Sequence, residues 1–95
     1  MNVLLVIDVE DLNDKIAFEK HLKKEGFDAI EGETFAYKGI STTPVMHTRA
    51  FIFEVVSKAL EKSPAKHLSI VCQIGENPME TYIYDKNTKF FNEVK

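Results

Sequence analysis

The feature that most constrains this chain is its start. Asn2-Val3-Leu4-Leu5-Val6-Ile7-Asp8-Val9 is an almost continuous apolar run of strand length. Apolar side chains on both faces suit a central strand covered on at least one side by helices. The run gives way to an acidic stretch of Asp8, Glu10, Asp11 and Asp14.

A helix is predicted over roughly residues 12–25, with Asp11 as its N-cap. Leu12, Ile16 and Leu22 follow helical spacing, and Phe18 widens the apolar face. Lys20, Lys23 and Lys24 suit the negative end of the dipole. Gly26 then supplies a left-handed stop, with Phe27 placed for the apolar contact that accompanies such a cap. Residues 28–40 read as extended, with Gly32 a bulge or kink that divides them into two short strands.

Thr43-Pro44 reads as a helix start, Thr as N-cap and Pro at the first helical position. The pairs Phe51/Ile52, Val55/Val56 and Ala59/Leu60 then recur every four residues, and Ser63-Pro64 ends the helix. Residues 48–55 also have strand-like content, so a strand there stands as the alternative. Leu68–Ile74 and Met79–Tyr84 form a hairpin across Gly75-Glu76-Asn77-Pro78, and residues 89–95 are a last strand or a docked tail.

This order predicts an α+β chain: a βαββαβ sandwich of ferredoxin-like type with one extra C-terminal strand. Its antiparallel sheet would carry two helices on one face. Residues 1–95 are read as a single domain, as 95 residues suggest. The uncovered sheet face, or the extra strand, would then be closed by a homodimer.

Composition narrows the function classes. The net charge of −3 with a single arginine argues against a strong non-specific nucleic-acid binder. One cysteine cannot form an internal disulfide. No run approaches the ~18 apolar residues of a membrane span, and the N-terminus lacks a signal peptide's basic flank. A cytoplasmic protein with no membrane role is the expectation.

Four groups of residues carry candidate chemistry. Asp8 closes an otherwise apolar strand, and the acids of residues 8–14 suit a hard divalent ion such as Mg²⁺; otherwise they end the strand and cap the next helix. Glu31 and Glu33 alternate across Gly32 and would share one face of an extended segment, as an acid–base pair or as a solvated edge. Ser41, Thr43, His47 and Arg49 cluster about a predicted helix N-terminus. There they would either position a phosphate, with His47 moving a proton, or serve as caps. Tyr37, Tyr82 and Tyr84 would stack bases if the sheet exposes them, and fill the core if it does not. His21 and His67 are expected to face solvent, and Cys72 to be a buried, inert thiol.

The apolar strand closing on Asp8, the Lys-rich helix ending in Gly26-Phe27 and the segment Glu31-Gly32-Glu33-Thr34-Phe35-Ala36-Tyr37 together resemble the VapD-type endoribonucleases. They also resemble the small CRISPR-associated spacer-acquisition subunit and, more loosely, the GhoS antitoxin ribonuclease. The resemblance covers roughly residues 1–60. It implies a ferredoxin-like dimer and a metal-dependent endoribonuclease of a toxin–antitoxin type. Asp8 of each subunit would be the metal ligand and catalytic group, with Mg²⁺ as cofactor and RNA as substrate. Only Asp8 is carried over from the resemblance; in the same reading the helix-start residues add His47 as a second catalytic group and Ser41, Thr43 and Arg49 as phosphate ligands. The alternative is a non-catalytic small dimeric module that binds a protein partner or ligand through its sheet face or the Ser41–Pro44 loop.

Overall fold

The computed structural model describes residues Met1–Lys95. It contains β1 (Asn2–Glu10), α1 (Lys15–Lys24), β2 (Asp28–Ala29), β3 (Ala36–Ile40), α2 (Val45–Lys62), β4 (His67–Ile74), β5 (Glu80–Asp85) and β6 (Phe90–Glu93). The six strands form one open sheet in the order β2-β3-β1-β4-β5-β6. Every neighbouring pair is antiparallel. This α+β architecture is compatible with a ferredoxin-like arrangement. Two strands, β5 and β6, lie beyond β4 where one was expected. The last of them is a true ladder strand, pairing Tyr84 with Phe91 and Tyr82 with Glu93.

Alternation along β1 decides where the core lies. Val3, Leu5 and Ile7 are buried, while Leu4, Val6 and Asp8 point to the opposite face and are exposed. On β4 the buried set is Leu68, Ile70, Cys72 and Ile74. These join Phe18 and Leu22 of α1 and Ile52, Val55, Val56, Ala59 and Leu60 of α2 in one core cluster. Both helices therefore cover the same side of the sheet.

Local chemistry explains most of the boundaries. At the end of α1, Phe27 N–H donates to Leu22 O at 2.9 Å and Gly26 N–H to Lys23 O at 3.0 Å. This is a Schellman closure, and it requires the left-handed backbone that Gly26 adopts (φ +99°). Helix α1 starts later than expected, because Asp14 rather than Asp11 caps it by accepting from Ala17 N–H at 3.1 Å. The choice is tertiary: Asp14 N–H donates to Ser63 Oγ at 2.6 Å and Asn13 N–H to Pro64 O at 2.9 Å, which docks the start of α1 on the end of α2.

The stretch 48–55 is helical throughout, so the strand alternative does not hold. Pro44, not Thr43, occupies the N-cap position of α2, with no side-chain cap. Gly32 (φ +85°) sits in a turn between β2 and β3, so Glu31 and Glu33 occupy that turn and do not share a strand face. His21 also corrects the expectation, because it is 7% exposed, with Lys58 and Lys62 of α2 close enough to act on its ring. His67 is exposed as expected.

Candidate functional site

The sequence candidates fall at opposite ends of the sheet. Ser41 is bound to the start of β1: its N–H donates to Met1 O at 2.8 Å, and its carbonyl accepts from the Met1 ammonium at 2.7 Å. Asp8 lies seven residues further along β1. At about 3.3 Å per residue in a strand, that is about 23 Å away. Asp8 and the group of Ser41, Thr43 and His47 therefore do not converge within one chain.

Asp8 is exposed on the open sheet face, opposite Ser69 across the β1–β4 ladder. The other acids of its run have separate tasks. Asp14 caps α1, and Glu10 pairs with Lys66 at 3.4 Å. No three His, Cys, Asp or Glu side chains gather in a geometry that would hold a metal ion. Within one chain Asp8 would thus offer Mg²⁺ a single carboxylate, with waters or substrate oxygens completing the octahedron.

Ser41, Thr43 and His47 do come together, with Thr48, around a hollow of about 420 Å³. Its walls also include Glu25, Gly26 and Phe27 from the end of α1, and Phe51 from α2. Thr48 is buried, and its Oγ1 lies 2.5 Å from Ser41 Oγ and 3.0 Å from Thr43 Oγ1. It also donates to Pro44 O at 3.2 Å. The hydroxyls thus satisfy one another and the backbone. Among the lining residues Glu25 is an acid, and no lysine or arginine is present. That balance opposes a phosphate despite the uncapped helix start.

Arg49 belongs to a different structure altogether. Its Nε donates to Glu80 Oε1 at 2.6 Å and its Nη2 to Glu80 Oε2 at 3.0 Å, which is a bidentate fork. Tyr82 Oη donates to the same carboxylate. The arginine is consumed in fastening α2 to β5, and it does not line the hollow. The guanidinium, followed by the Tyr82 hydroxyl, holds the Glu80 carboxyl below the usual range, partly offset by burial.

The sheet offers no tyrosine platform. Tyr37 is buried and donates to Glu19 Oε2 at 2.8 Å; Tyr82 is buried against Phe53, with ring centres 4.7 Å apart. Tyr84 packs against Phe91, which stacks on Phe53. All three tyrosines lie on the helix side, because they alternate with residues of the open face. Cys72 is 1% exposed, and burial pushes its thiol up to about 11, so little thiolate forms.

The sequence pointed to the uncovered sheet face as a dimer surface, but not to which residues meet on it. The register aligns Ala36, Val6, Val71 and Thr81 in one row across four strands. Lys38, Leu4 and Gln73 form the row on one side; Asp8, Ser69, Ile83 and Asn92 form the row on the other. Leu4, Val6 and Ile83 are 37%, 38% and 41% exposed. Alternation within β1 was the available signal, but its reading needed the strand order. Compared with known proteins, the chain matches no family model, no curated protein and no solved structure. No helix is long and apolar enough to cross a membrane.

Proposed function

We propose that this chain is a small dimeric binding module that works through the open face of its sheet, with a second copy as the occupant. The observation that carries the reading is the uncharged row Val6–Val71–Thr81, flanked by the exposed Leu4 and Ile83, in the middle of a face that no helix covers. A two-fold interface needs a self-complementary patch, and an apolar strip with polar residues at its flanks meets that need. The molecule is a slab of 32 × 29 × 20 Å. Its broad face is thus of the size needed for the roughly 800 Å² per partner of a standard interface. The order β2-β3-β1-β4, with β5-β6 as an appended hairpin, supports the ferredoxin-like topology, a fold that leaves this face free.

Sedimentation of the wild type beside Val6→Glu tests this. The wild type is expected to sediment as a dimer at micromolar concentration. Val6→Glu, which places two buried like charges in the interface, is expected to sediment as a folded monomer. A wild type that stays monomeric at hundreds of micromolar would overturn the reading.

Asp8 favours a second reading, the metal-dependent endoribonuclease of VapD-like toxin–antitoxin type. Asp8 stands on the same open face, one row from its centre. A two-fold axis passing near it would bring two carboxylates together, giving Mg²⁺ a second protein ligand. RNA incubated with wild type or Asp8→Asn, each with Mg²⁺ or EDTA, tests this. Cleavage lost on both the substitution and chelation supports it, and no cleavage by the wild type across several RNAs removes it.

A further inference from the structure

We propose that His21 is a protonation latch: its neutral ring fastens α1 to α2, and its protonation releases α1 and opens the hollow at the α1 C-terminus. The inference is independent of the open sheet face, which lies on the other side of the sheet.

His21 is the one buried side chain whose polar atoms are unpaired. It is 7% exposed, and neither Nδ1 nor Nε2 has a hydrogen-bond partner. A neutral imidazole tolerates such a place at modest cost, because one nitrogen is only an unused acceptor and the other an unused donor. An imidazolium has two donors and a full charge, neither donor paired in the docked helix, which is far costlier in a buried site. The surrounding charges add to this. Lys62 and Lys58 approach from α2 and Lys24 from α1, all opposing a proton, while Glu25 of α1 favours one. Burial is the largest influence, and together these hold the ring below the ordinary histidine value of 6.5.

The sign follows directly. The released or unfolded helix binds the proton more readily than the docked one, so docking is fully favoured above about pH 6.5. It weakens as pH falls below that value. Helix α1 is the element able to respond. It has ten residues, below the ~12–15 that an isolated helix needs, so it depends on its contact with α2 and the sheet. Its start remains tied through Asp14 to Ser63, so release moves its far end. That end carries Glu25, Gly26 and Phe27, one wall of the hollow, where Phe27 stacks on Phe51 with ring centres 6.3 Å apart.

Amide hydrogen exchange at pH 7.5 and 5.5, corrected for the intrinsic pH dependence, tests the latch in the intact chain. The α1 amides are expected to lose protection at the lower pH relative to those of β1 and β4. The loss is at most about tenfold per pH unit, the limit for one proton. His21→Leu is expected to abolish the difference. A parallel NMR titration of the imidazoles follows the ring in the wild type, so the proposal stays testable if the variant does not fold. A His21 ring that titrates at or above 6.5, α1 protection that is unchanged between the two conditions, or an unaltered loss in His21→Leu would each overturn it.

Discussion

Phe18→Ala is expected to remove roughly 3–5 kcal/mol of stability, the range for deleting a fully buried aromatic ring. Phe18 is 0% exposed and lies on α1, in the core cluster shared by both helices and the sheet. A domain of this size has about 5–15 kcal/mol in total, so the loss is a large share. At roughly 4–8 °C per kcal/mol, the melting midpoint should fall by about 12–40 °C, as read by circular dichroism or calorimetry. The effect is large because α1 has little stability of its own. Its first turn carries no acidic residue, and it is short, so packing through Phe18 and Leu22 is what holds it. A loss under about 1 kcal/mol would mean that the ring does not sit in a close-packed site.

Glu80→Ala is the second large effect, expected at about 2–3 kcal/mol. Glu80 accepts both arms of Arg49 and the Tyr82 hydroxyl, and its side chain is 13% exposed. Removing it leaves a cation and a buried hydroxyl without partners, and breaking a fully buried pair costs about 3–5 kcal/mol. Arg49 is 31% exposed, so water recovers part of that, which sets the lower figure. The pH dependence distinguishes the pair from simple packing. Its Glu80 carboxyl is held below the ordinary value of 4.5 in the folded chain. The stabilisation is present above that value and is lost as pH falls through the folded one. Denaturant titrations of wild type and Glu80→Gln should therefore diverge at neutral pH and converge in acid. Curves that stay parallel down to low pH would show that the ion pair contributes nothing.

These two variants also separate the functional proposals. Both act on the helix side of the sheet, so a dimer formed through Leu4, Val6 and Ile83 should persist wherever the chain remains folded. Phe18→Ala loosens the helix that His21 is proposed to release, and it should do so at all pH values.

Features whose cause lies within a few residues were legible in the sequence. Gly26-Phe27 announced the end of α1 because a Schellman closure needs only a left-handed residue and an apolar one after it. Ser63-Pro64 announced the end of α2, because proline lacks the N–H that another turn requires. The apolar run of β1 placed it centrally in the sheet, and the four-residue pairing from Phe51 to Leu60 favoured a helix over the strand alternative. Only the tertiary structure decided the rest, since each outcome depends on a residue far along the chain. Asp11 and Asp14 have the same capping chemistry, and Ser63 and Pro64 select Asp14 by bonding to the backbone beside it. Arg49 read as a free phosphate ligand because its partner Glu80 lies 31 residues away. His21 read as solvent-facing because its burial comes from α2, and Asp8 and Ser41 read as one site because spacing along the chain does not show that a nine-residue strand separates them. Side-chain chemistry and local backbone preference are written in sequence, whereas desolvation and charge pairing depend on which distant groups the fold brings into contact.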